Sequence, residues 1–470
     1  MRLSIQTAAG SVLARSGLPE GLRNLDRALR RHERALIWIF GILYKLCLDA
    51  AYALSVSPNA ESMLRPYDPK LVKYLLAFLL YLILFAALPK RELDSVALIV
   101  HLHFVYSVAP LLTFYAFTNG STRYVLMVSA CMLLEAAVIF RPLRTDSPVR
   151  IKGIQSYVTV MLGILIVFAL VVPMLYNGFA GLKAFDFNYI YEMRASATYP
   201  PGFGYLMSWT TSSILPFGIL CFLHMKKYRW AALLAAVQVV FYMQTGSKIT
   251  LLMLFPMIFI YFCTRTGHCM KLMYLGLSAL CLFLVFAYQL DGIDTGEKAS
   301  WELASFYLVR LIGFRALFLP ASIKTYFYEF FSTHPKIFFS DGQIGRMLGL
   351  TYPYKLPAGF VVDAYQHGAA EFGVTQANTG YLGEAYAQMG FAGMLLMSLL
   401  LALVLRSLRV YDKKSAAPLL TALLAVYIII LNDGALLTTL LTGGLLVTYI
   451  LIFIYFDKVT EGNGHGIQRL

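Results

Sequence analysis

Residues 154–175 read IQSYVTVMLGILIVFALVVPML, a run without a single charged side chain. A helix needs about 20 apolar residues to cross the hydrocarbon core of a bilayer, so this stretch predicts a membrane-spanning helix. The rest of the chain is similarly apolar, because 59% of its 470 residues are hydrophobic and only 14% are charged. A soluble domain carries about 25% charged residues. This composition excludes a soluble enzyme, a disordered protein, a secreted disulfide scaffold and a coiled coil.

Similar apolar stretches lie on both sides of residues 154–175. They predict an all-α polytopic membrane protein with about twelve transmembrane helices. The predicted spans lie near residues 35–55, 70–88, 94–117, 122–140, 154–175, 204–225, 229–245, 248–264, 271–289, 378–405, 416–432 and 436–456.

Basic residues are concentrated in alternate connections between these spans. The chain has 39 Lys and Arg residues against 25 Asp and Glu residues, a formal net charge of +14. Because cytoplasmic loops of membrane proteins are enriched in Lys and Arg, this alternation places both termini in the cytoplasm. The predicted organisation is a basic tail with an amphipathic helix (1–34), a transmembrane domain (35–457) and a second cytoplasmic tail (458–470).

Two predicted external loops, near 176–203 and 290–377, are much longer than the other connections. Loops of this length usually carry function. Within the second loop, residues 303–320 are apolar apart from Arg310 and Arg315. They could form a thirteenth span, but an odd number of spans would place the basic residues of the later cytoplasmic loops on the external side. We therefore favour a helix that lies in the outer interface or is re-entrant.

The sequence contains no recognised pattern for metal or nucleotide chemistry. The motifs HExxH, GxxxxGK[ST], GxGxxG and GxSxG do not occur, and no Asp-x-Asp pair is present to hold a divalent ion on a nucleotide diphosphate. The polar residues lie mainly on the predicted external face instead. The expectation is a metal-free reaction on a membrane-borne substrate, without a cofactor.

Cations on the external face are candidates for binding an anionic group. Arg310 shares a predicted helix face with aromatic residues, where an unpaired arginine costs about 2–3 kcal/mol even on insertion scales. A phosphate would offset that cost, and the guanidinium fork suits it; snorkelling to the lipid headgroups is the alternative. Lys248 closes the turn 244–248, which is either an anion nest or an ordinary hairpin. The remaining candidates are Arg194, Arg315 and Lys324.

Acidic residues and one histidine on the same face are candidates for proton transfer. Glu384 lies at the start of the tenth span, inside the predicted outer boundary of the membrane. A carboxylate there is either a general base for a sugar hydroxyl or a helix-start residue favoured by the helix dipole. The further candidates are Asp363, His367 and Glu371.

Several short stretches together resemble the bacterial Wzy-type oligosaccharide repeat-unit (O-antigen) polymerases. The likeness covers about residues 150–400 and rests on short motifs. These are Tyr191-Glu192-Met193-Arg194, Gly246-Ser247-Lys248, Arg310 with Tyr328-Glu329-Phe330-Phe331, Asn378-Thr379-Gly380-Tyr381-Leu382-Gly383-Glu384 and Gly390-Phe391-Ala392-Gly393.

The resemblance implies a metal-independent glycosyltransferase of the all-helical GT-C type in the bacterial inner membrane. Such an enzyme transfers a growing glycan from undecaprenyl diphosphate to an incoming lipid-linked repeat unit on the periplasmic face, building O-antigen or a related surface polysaccharide. The expected partners are the lipid-linked donor and acceptor, membrane lipids and a chain-length regulator protein, but no nucleic acid. The implied diphosphate-binding residues are Arg194, Lys248, Arg310, Arg315 and Lys324, and the implied catalytic residues are Glu384, His367 and Asp363.

Two other functions fit parts of the sequence. An O-antigen ligase would transfer the glycan to lipid A core and would depend on a histidine in the long loop, for which His367 is available. A polysaccharide or lipid exporter would need charged residues near the membrane midplane. The only basic residue near the middle of a predicted span is Lys45, and acids such as Asp49 and Glu135 are few.

Overall fold

A computed structural model describes residues 20–59, 65–142, 153–291, 309–367, 376–413 and 415–461. These residues form helices and connections, with no β-strand among them. The first part of the predicted basic tail and the candidate Glu371 lie outside the described residues.

The first half of the chain forms α1 to α9. Their bounds are Glu20–Arg31 (α1), Glu33–Ala51 (α2), Leu71–Ala87 (α3), Ser95–Phe117 (α4), Thr122–Ile139 (α5), Gln155–Asn177 (α6), Phe187–Ser196 (α7), Phe203–His224 (α8) and Tyr228–Thr245 (α9). A π-helical turn at Tyr52–Val56 extends α2, and further π-helical turns interrupt α4 and α8.

The second half forms α10 to α19. Their bounds are Lys248–Leu252 (α10), Leu254–Thr266 (α11), Cys269–Asp291 (α12), Leu319–Thr333 (α13), Gln343–Met347 (α14), Ala358–Gln366 (α15), Tyr381–Leu408 (α16), Ala417–Asp433 (α17), Leu436–Leu440 (α18) and Leu445–Glu461 (α19). A π-helical segment, Val309–Phe318, leads directly into α13.

Within the described residues, eight helical stretches are long and apolar enough to cross a membrane. They are Glu33–Val56, Ser95–Phe117, Thr122–Ile139, Gln155–Asn177, Phe203–His224, Cys269–Ala287, Tyr381–Tyr411 and Leu436–Tyr455. Three shorter apolar helices accompany them, at Leu71–Ala87, Thr250–Thr266 and Ala417–Asp433. The all-helical prediction and the multi-pass membrane character are confirmed.

Long-range hydrogen bonds between helix ends and the connections between helices fall into two sets. The first set joins Glu33 to Glu92, Arg30 to Thr266, Ser95 to Asp412 and Arg409 to Ile139. The second set joins Asp68 to Phe117, Ser55 to Leu284, Asn177 to Thr198 and Arg65 to Glu329. The first set links regions that the sequence predicts to be cytoplasmic, and the second links regions that it predicts to be external.

Two pairs of ionisable side chains lie in contact inside the apolar bundle. Lys45 Nζ lies 2.5 Å from Asp49 Oδ1, and both side chains hydrogen-bond to Thr113 Oγ1. His103 Nδ1 lies 3.4 Å from Glu135 Oε2, while Tyr381 donates to the other oxygen of Glu135. Because an unpaired charge is expensive in an apolar interior, these contacts compensate for its burial.

Candidate functional site

Two motif stretches on the predicted external side come together where α13 packs against the beginning of α16. The ring of Tyr328 lies 4.9 Å from that of Tyr386, and Ser332 Oγ lies 3.0 Å from the Tyr386 hydroxyl oxygen. Tyr328 also stacks on Tyr124 of α5, with a ring separation of 4.8 Å. Aromatic packing therefore fixes the position of the first two turns of α16.

A backbone break separates those two turns from the rest of α16. Met389 (φ −141°, ψ 19°) and Gly390 (φ +63°, ψ −145°) both leave the helical region. The carbonyl groups of Ala387 and Gln388 instead accept hydrogen bonds from the amides of Ile337 and Phe338, at 3.0 and 3.1 Å. The long loop thus satisfies backbone acceptors freed by the break, as burial in an apolar medium requires.

Glu384 lies in this outer part of α16, half-buried and hydrogen-bonded. Gln388 donates from Nε2 to Glu384 Oε1 at 2.8 Å. The same amide nitrogen lies 3.4 Å from Oδ1 of Asp341, and the side-chain oxygen Oε1 of Gln388 accepts from the backbone amide of Phe339. Gln388 therefore links the candidate base to the long loop and to a second carboxylate.

A loop lysine that is not among the predicted diphosphate-binding residues lies on the neighbouring side of the break. Lys336 Nζ lies 4.1 Å from the centre of the Tyr386 ring and donates to the carbonyl of Phe331. A Cβ placed on Gly390 would lie 3.4 Å from Lys336 Cε. Burial lowers the pKa of this lysine. Only the fold brings it to Tyr386, which is 50 positions away in sequence.

Lys324, one of the predicted diphosphate-binding residues, is buried in the protein interior. Its ammonium donates to Ser107 Oγ at 2.8 Å and to Asn432 Oδ1 at 2.5 Å. A Cβ on Gly380 would lie 2.8 Å from Lys324 Cε and 2.5 Å from the Asn432 carbonyl oxygen. Lys324 therefore lies against Gly380, the residue that precedes α16, and its ammonium is directed toward α4 and α17.

The other predicted cations differ in how they are placed. Arg194 and Arg315 are both exposed to the surroundings. Lys248 begins α10, and Arg310 lies in the first turn of the π-helical segment before α13. The side chains of Lys248 and Arg310 lie outside the described part of the structure.

A second pair of motif stretches also meets on the predicted external side. Gly246 has φ +61° and ends α9, which is a conformation that glycine adopts readily. A Cβ there would lie 2.9 Å from both Ile190 Cγ2 and Met193 Cε of α7. The helix that carries Arg194 therefore packs directly on the turn that precedes Lys248.

Asp363 and His367 form a pair along α15 and its C-terminal end. Their side chains approach to 3.6 Å between Nδ1 and Oδ1, and Nδ1 also lies 2.9 Å from the Asp363 carbonyl oxygen. The described contacts connect α15 to α13 through the rings of Tyr365 and Phe330, 5.5 Å apart. The pair is thus held over the helix that contains the 328–331 motif.

Glu329 in the same motif has a partner that no sequence pattern predicts. Arg65, in the connection between α2 and α3, forms an ion pair with Glu329 and lies 5.1 Å from the centre of the Tyr326 ring. The two residues are 264 positions apart. No local sequence pattern indicates this pairing. The charge of Glu329 is therefore balanced by a residue of the same chain.

Among the described residues, no three His, Cys, Asp or Glu side chains are grouped in a way that could hold a metal ion. Comparisons with models of known protein families, with curated proteins and with solved structures found no match.

Proposed function

We propose that this protein polymerises undecaprenyl-diphosphate-linked oligosaccharide repeat units on the periplasmic face of the bacterial inner membrane. The observation that carries the proposal is the position of Glu384. This carboxylate is half-buried in a short outer segment of a broken helix, next to a long external loop. Interrupted helices line the substrate sites of secondary transporters, so a break in α16 is compatible with a substrate site beside it. A partly dry carboxylate held by a single amide donor is suited to accept a proton from a sugar hydroxyl.

In the proposed reaction the acceptor hydroxyl attacks the anomeric carbon of the donor glycan. The hydroxyl proton moves to Glu384, a new glycosidic carbon–oxygen bond forms, and the bond to the undecaprenyl diphosphate oxygen breaks. The departing diphosphate carries the negative charge away. Fixed cations in a water-poor site stabilise such a leaving group.

We assign the diphosphate-binding role to Arg194, Lys248, Arg310 and Arg315. Exposure of Arg194 and Arg315 leaves their guanidinium groups accessible to a ligand. Lys324 acts as a positioning residue in this account, because its protons are directed at Ser107 and Asn432 beneath Gly380. Asp363 and His367 stay candidates for binding or deprotonating the acceptor sugar.

We infer that twelve helices cross the membrane, in a GT-C-like arrangement with both termini in the cytoplasm. Helices are present at all twelve predicted positions, and Tyr228–Thr245 completes the set formed by the eight long and three shorter apolar stretches. The two sets of long-range hydrogen bonds support this alternation. The segment 309–333 is then a re-entrant or interfacial helix on the external side.

A reconstituted assay tests the proposed activity. Purified protein in nanodiscs is given undecaprenyl-diphosphate-linked repeat units, and products are resolved by gel electrophoresis and mass spectrometry. The proposal expects a ladder of lipid-linked products separated by one repeat unit, with release of undecaprenyl diphosphate. Repeat units that stay unconsumed in the presence of folded protein would contradict it.

One observation favours a ligase as the second candidate. The His367–Asp363 pair lies on an external helix, where a ligase-type histidine is expected. The same assay separates the two functions when lipid A core is added as acceptor. A ligase would transfer single glycans to lipid A core and produce no ladder in its absence.

A further inference from the structure

Three apolar side chains protrude from the loop 337–357, on the predicted external side. Met347 is 87% exposed, Leu348 70% and Leu350 42%, and these three residues form the apolar tip of the loop. Lipid contact explains such exposure on a membrane-spanning helix. The tip belongs instead to the short helix α14 and the turn that follows it. An exposed apolar cluster on a connection indicates a contact with a membrane or with a partner.

The backbone that carries the apolar tip is held in one conformation. The amide of Leu350 donates to the carbonyl of Gly345 at 2.9 Å, and the amide of Gly349 donates to the carbonyl of Arg346 at 3.2 Å. A Cβ on Gly345 would overlap the carbonyl oxygen of Phe339, so only glycine allows this close backbone packing. The outward position of the tip therefore follows from the fold of the loop.

The segment on which Gly345 packs has an unusual backbone. Phe338 and Phe339 have φ values of +53° and +60°, in the left-handed region that bulky residues rarely adopt. Such a conformation persists where the surrounding contacts impose it. Here the two amides donate to the backbone carbonyl and to the side-chain oxygen of Gln388. The loop is thus fixed to the residue immediately before the break in α16.

The break lies at one end of the membrane-crossing part of α16. A Cβ on Gly393 would overlap the carbonyl oxygen of Ala385. In a continuous helix two positions eight residues apart are separated by about 12 Å, so the chain folds back at Met389 and Gly390. Residues 391–408 then form a separate helix about 27 Å long, close to the hydrocarbon thickness of about 30 Å. Its first residues therefore lie at a boundary of the hydrocarbon core.

These contacts bring the apolar tip next to that boundary. The tip is connected to Phe339 through Gly345, and Phe339 is bonded to Gln388 beside the break. The headgroup region extends about 5–8 Å beyond the hydrocarbon on each side of a bilayer. The charge of the loop is also compatible with lipid phosphates, because residues 343–357 include Arg346 and Lys355 and no acidic residue.

We propose that the apolar tip inserts into the outer leaflet of the membrane that the protein spans, with Leu348 among the phospholipid acyl chains. Amphipathic elements that lie in the interface bury their apolar side chains about 5–10 Å into the boundary between headgroups and acyl chains. The inserted tip holds the loop, and through it Gln388, at a fixed depth. The inference rests on the membrane-spanning character of α16 and does not depend on the proposed polymerase activity.

Electron paramagnetic resonance of a nitroxide attached to Leu348→Cys tests the proposal. Full-length protein is reconstituted at one chain per nanodisc in phosphatidylethanolamine and phosphatidylglycerol, so a second copy cannot cover the tip. The measurement compares collisions of the label with oxygen, which concentrates among acyl chains, and with a water-soluble nickel chelate. Labelled wild type gives the background, since Cys263 is half-buried and the other five cysteines are buried.

Two further variants calibrate the measurement. Leu396→Cys is the lipid reference, because Leu396 is an exposed residue of the helix 391–408. Lys355→Cys is the matched control, because Lys355 is an exposed, charged residue of the same loop. We expect the ratio of oxygen to nickel collisions at position 348 to approach the value at 396. It should exceed the value at 355 by about tenfold if the label lies about 5–10 Å into the boundary.

A collision ratio at position 348 equal to that at position 355 would place the tip in water and overturn the proposal. Low collision rates with both reagents would show that protein covers the tip, and would overturn it equally. Met347→Cys provides the same measurement if Leu348→Cys does not fold. Failure of the polymerisation assay would leave a lipid-inserted tip in place, and a water-exposed tip would leave the polymerase proposal standing.

Discussion

The side-chain amide of Gln388 donates a hydrogen bond of 2.8 Å to Glu384, one helical turn before it. The side-chain oxygen of the same residue accepts a hydrogen bond from the backbone amide of Phe339. One side chain thus fixes both the candidate base and the loop that lies over it. The two functions of this amide can be separated by substitution.

Gln388→Glu keeps an acceptor for Phe339 and replaces the amide donor beside Glu384 with a second carboxyl group, which repels the Glu384 carboxylate or shares a proton with it. We expect the protein to fold and its polymerisation rate to fall by about 10- to 100-fold, since a hydrogen bond to a charged group contributes about 1.5–3 kcal/mol. Gln388→Leu removes both bonds and should also lower thermal stability. Rate measurements at matched protein levels, with a melting curve for each variant, check this. Wild-type rates in Gln388→Glu would show that the contact does not affect the base.

Gly390 has φ +63° and ψ −145°, a region of backbone space that other residues rarely adopt. Gly390→Ala should therefore destabilise the protein by about 1–3 kcal/mol. It should also disturb the break on which the outer part of α16 depends. Gly276→Ala in α12 is the control, because a Cβ there meets no atom within 4 Å. Equal melting temperatures for the two variants would contradict the strain at Gly390.

Arg310→Lys keeps the positive charge and loses the guanidinium fork. If Arg310 binds diphosphate, this variant should raise the KM for lipid-linked donor or shorten the polymer, whereas a snorkelling side chain would tolerate lysine. Arg346→Lys, at an exposed position of α14, provides the control. Wild-type chain lengths in both Arg310→Lys and Arg310→Ala would remove Arg310 from the site.

Asp412, at the predicted cytoplasmic end, makes stability depend on pH. It accepts hydrogen bonds from Ser95 N and Oγ at 2.9 and 2.6 Å, and burial raises its pKa to about 7, with nearby Asp94 acting in the same direction. Between pH 4 and 7 the folded protein retains a proton that the unfolded chain has lost. Stability from this group therefore decreases as the pH rises through that window and is constant above it.

Melting temperatures of the wild type and Asp412→Asn from pH 5 to pH 8 measure this effect. The wild type should lose stability relative to Asp412→Asn between pH 5 and pH 7, by up to about 1.4 kcal/mol per pH unit, and the difference should stay constant from pH 7 to pH 8. Parallel curves of melting temperature against pH for the two proteins would show that Asp412 does not cause the pH dependence of stability.

The positions of the helices could be predicted from the sequence because a bilayer imposes long apolar runs. Residues 154–175 show this most clearly, and the structure has Gln155–Asn177 there. The break at Met389 and Gly390 could not be predicted, since a lone glycine within an apolar helix is common. It depends on amides from residues 337 and 338 that replace the lost helical partners.

The candidate site was only partly predictable for a similar reason. Glu384 stood out as a carboxylate at a span boundary. The residues around it could not be predicted, because Lys336, Asp341 and Gln388 come together only when the long loop packs on α16. Lys324 shows the opposite case. It was selected as an external cation, but its burial depends on Ser107 and Asn432, which are distant in sequence.

Glu384→Gln tests the central claim most directly, because it keeps the shape of the side chain and removes its basicity. In the reconstituted assay with purified lipid-linked repeat units, loss of a general base should slow polymerisation by about 10²–10⁴-fold at equal protein levels. A role limited to helix-start electrostatics would change stability by only about 0.3–1 kcal/mol and leave the rate nearly intact. A polymer ladder from Glu384→Gln that matches the wild type in rate and length would contradict the account.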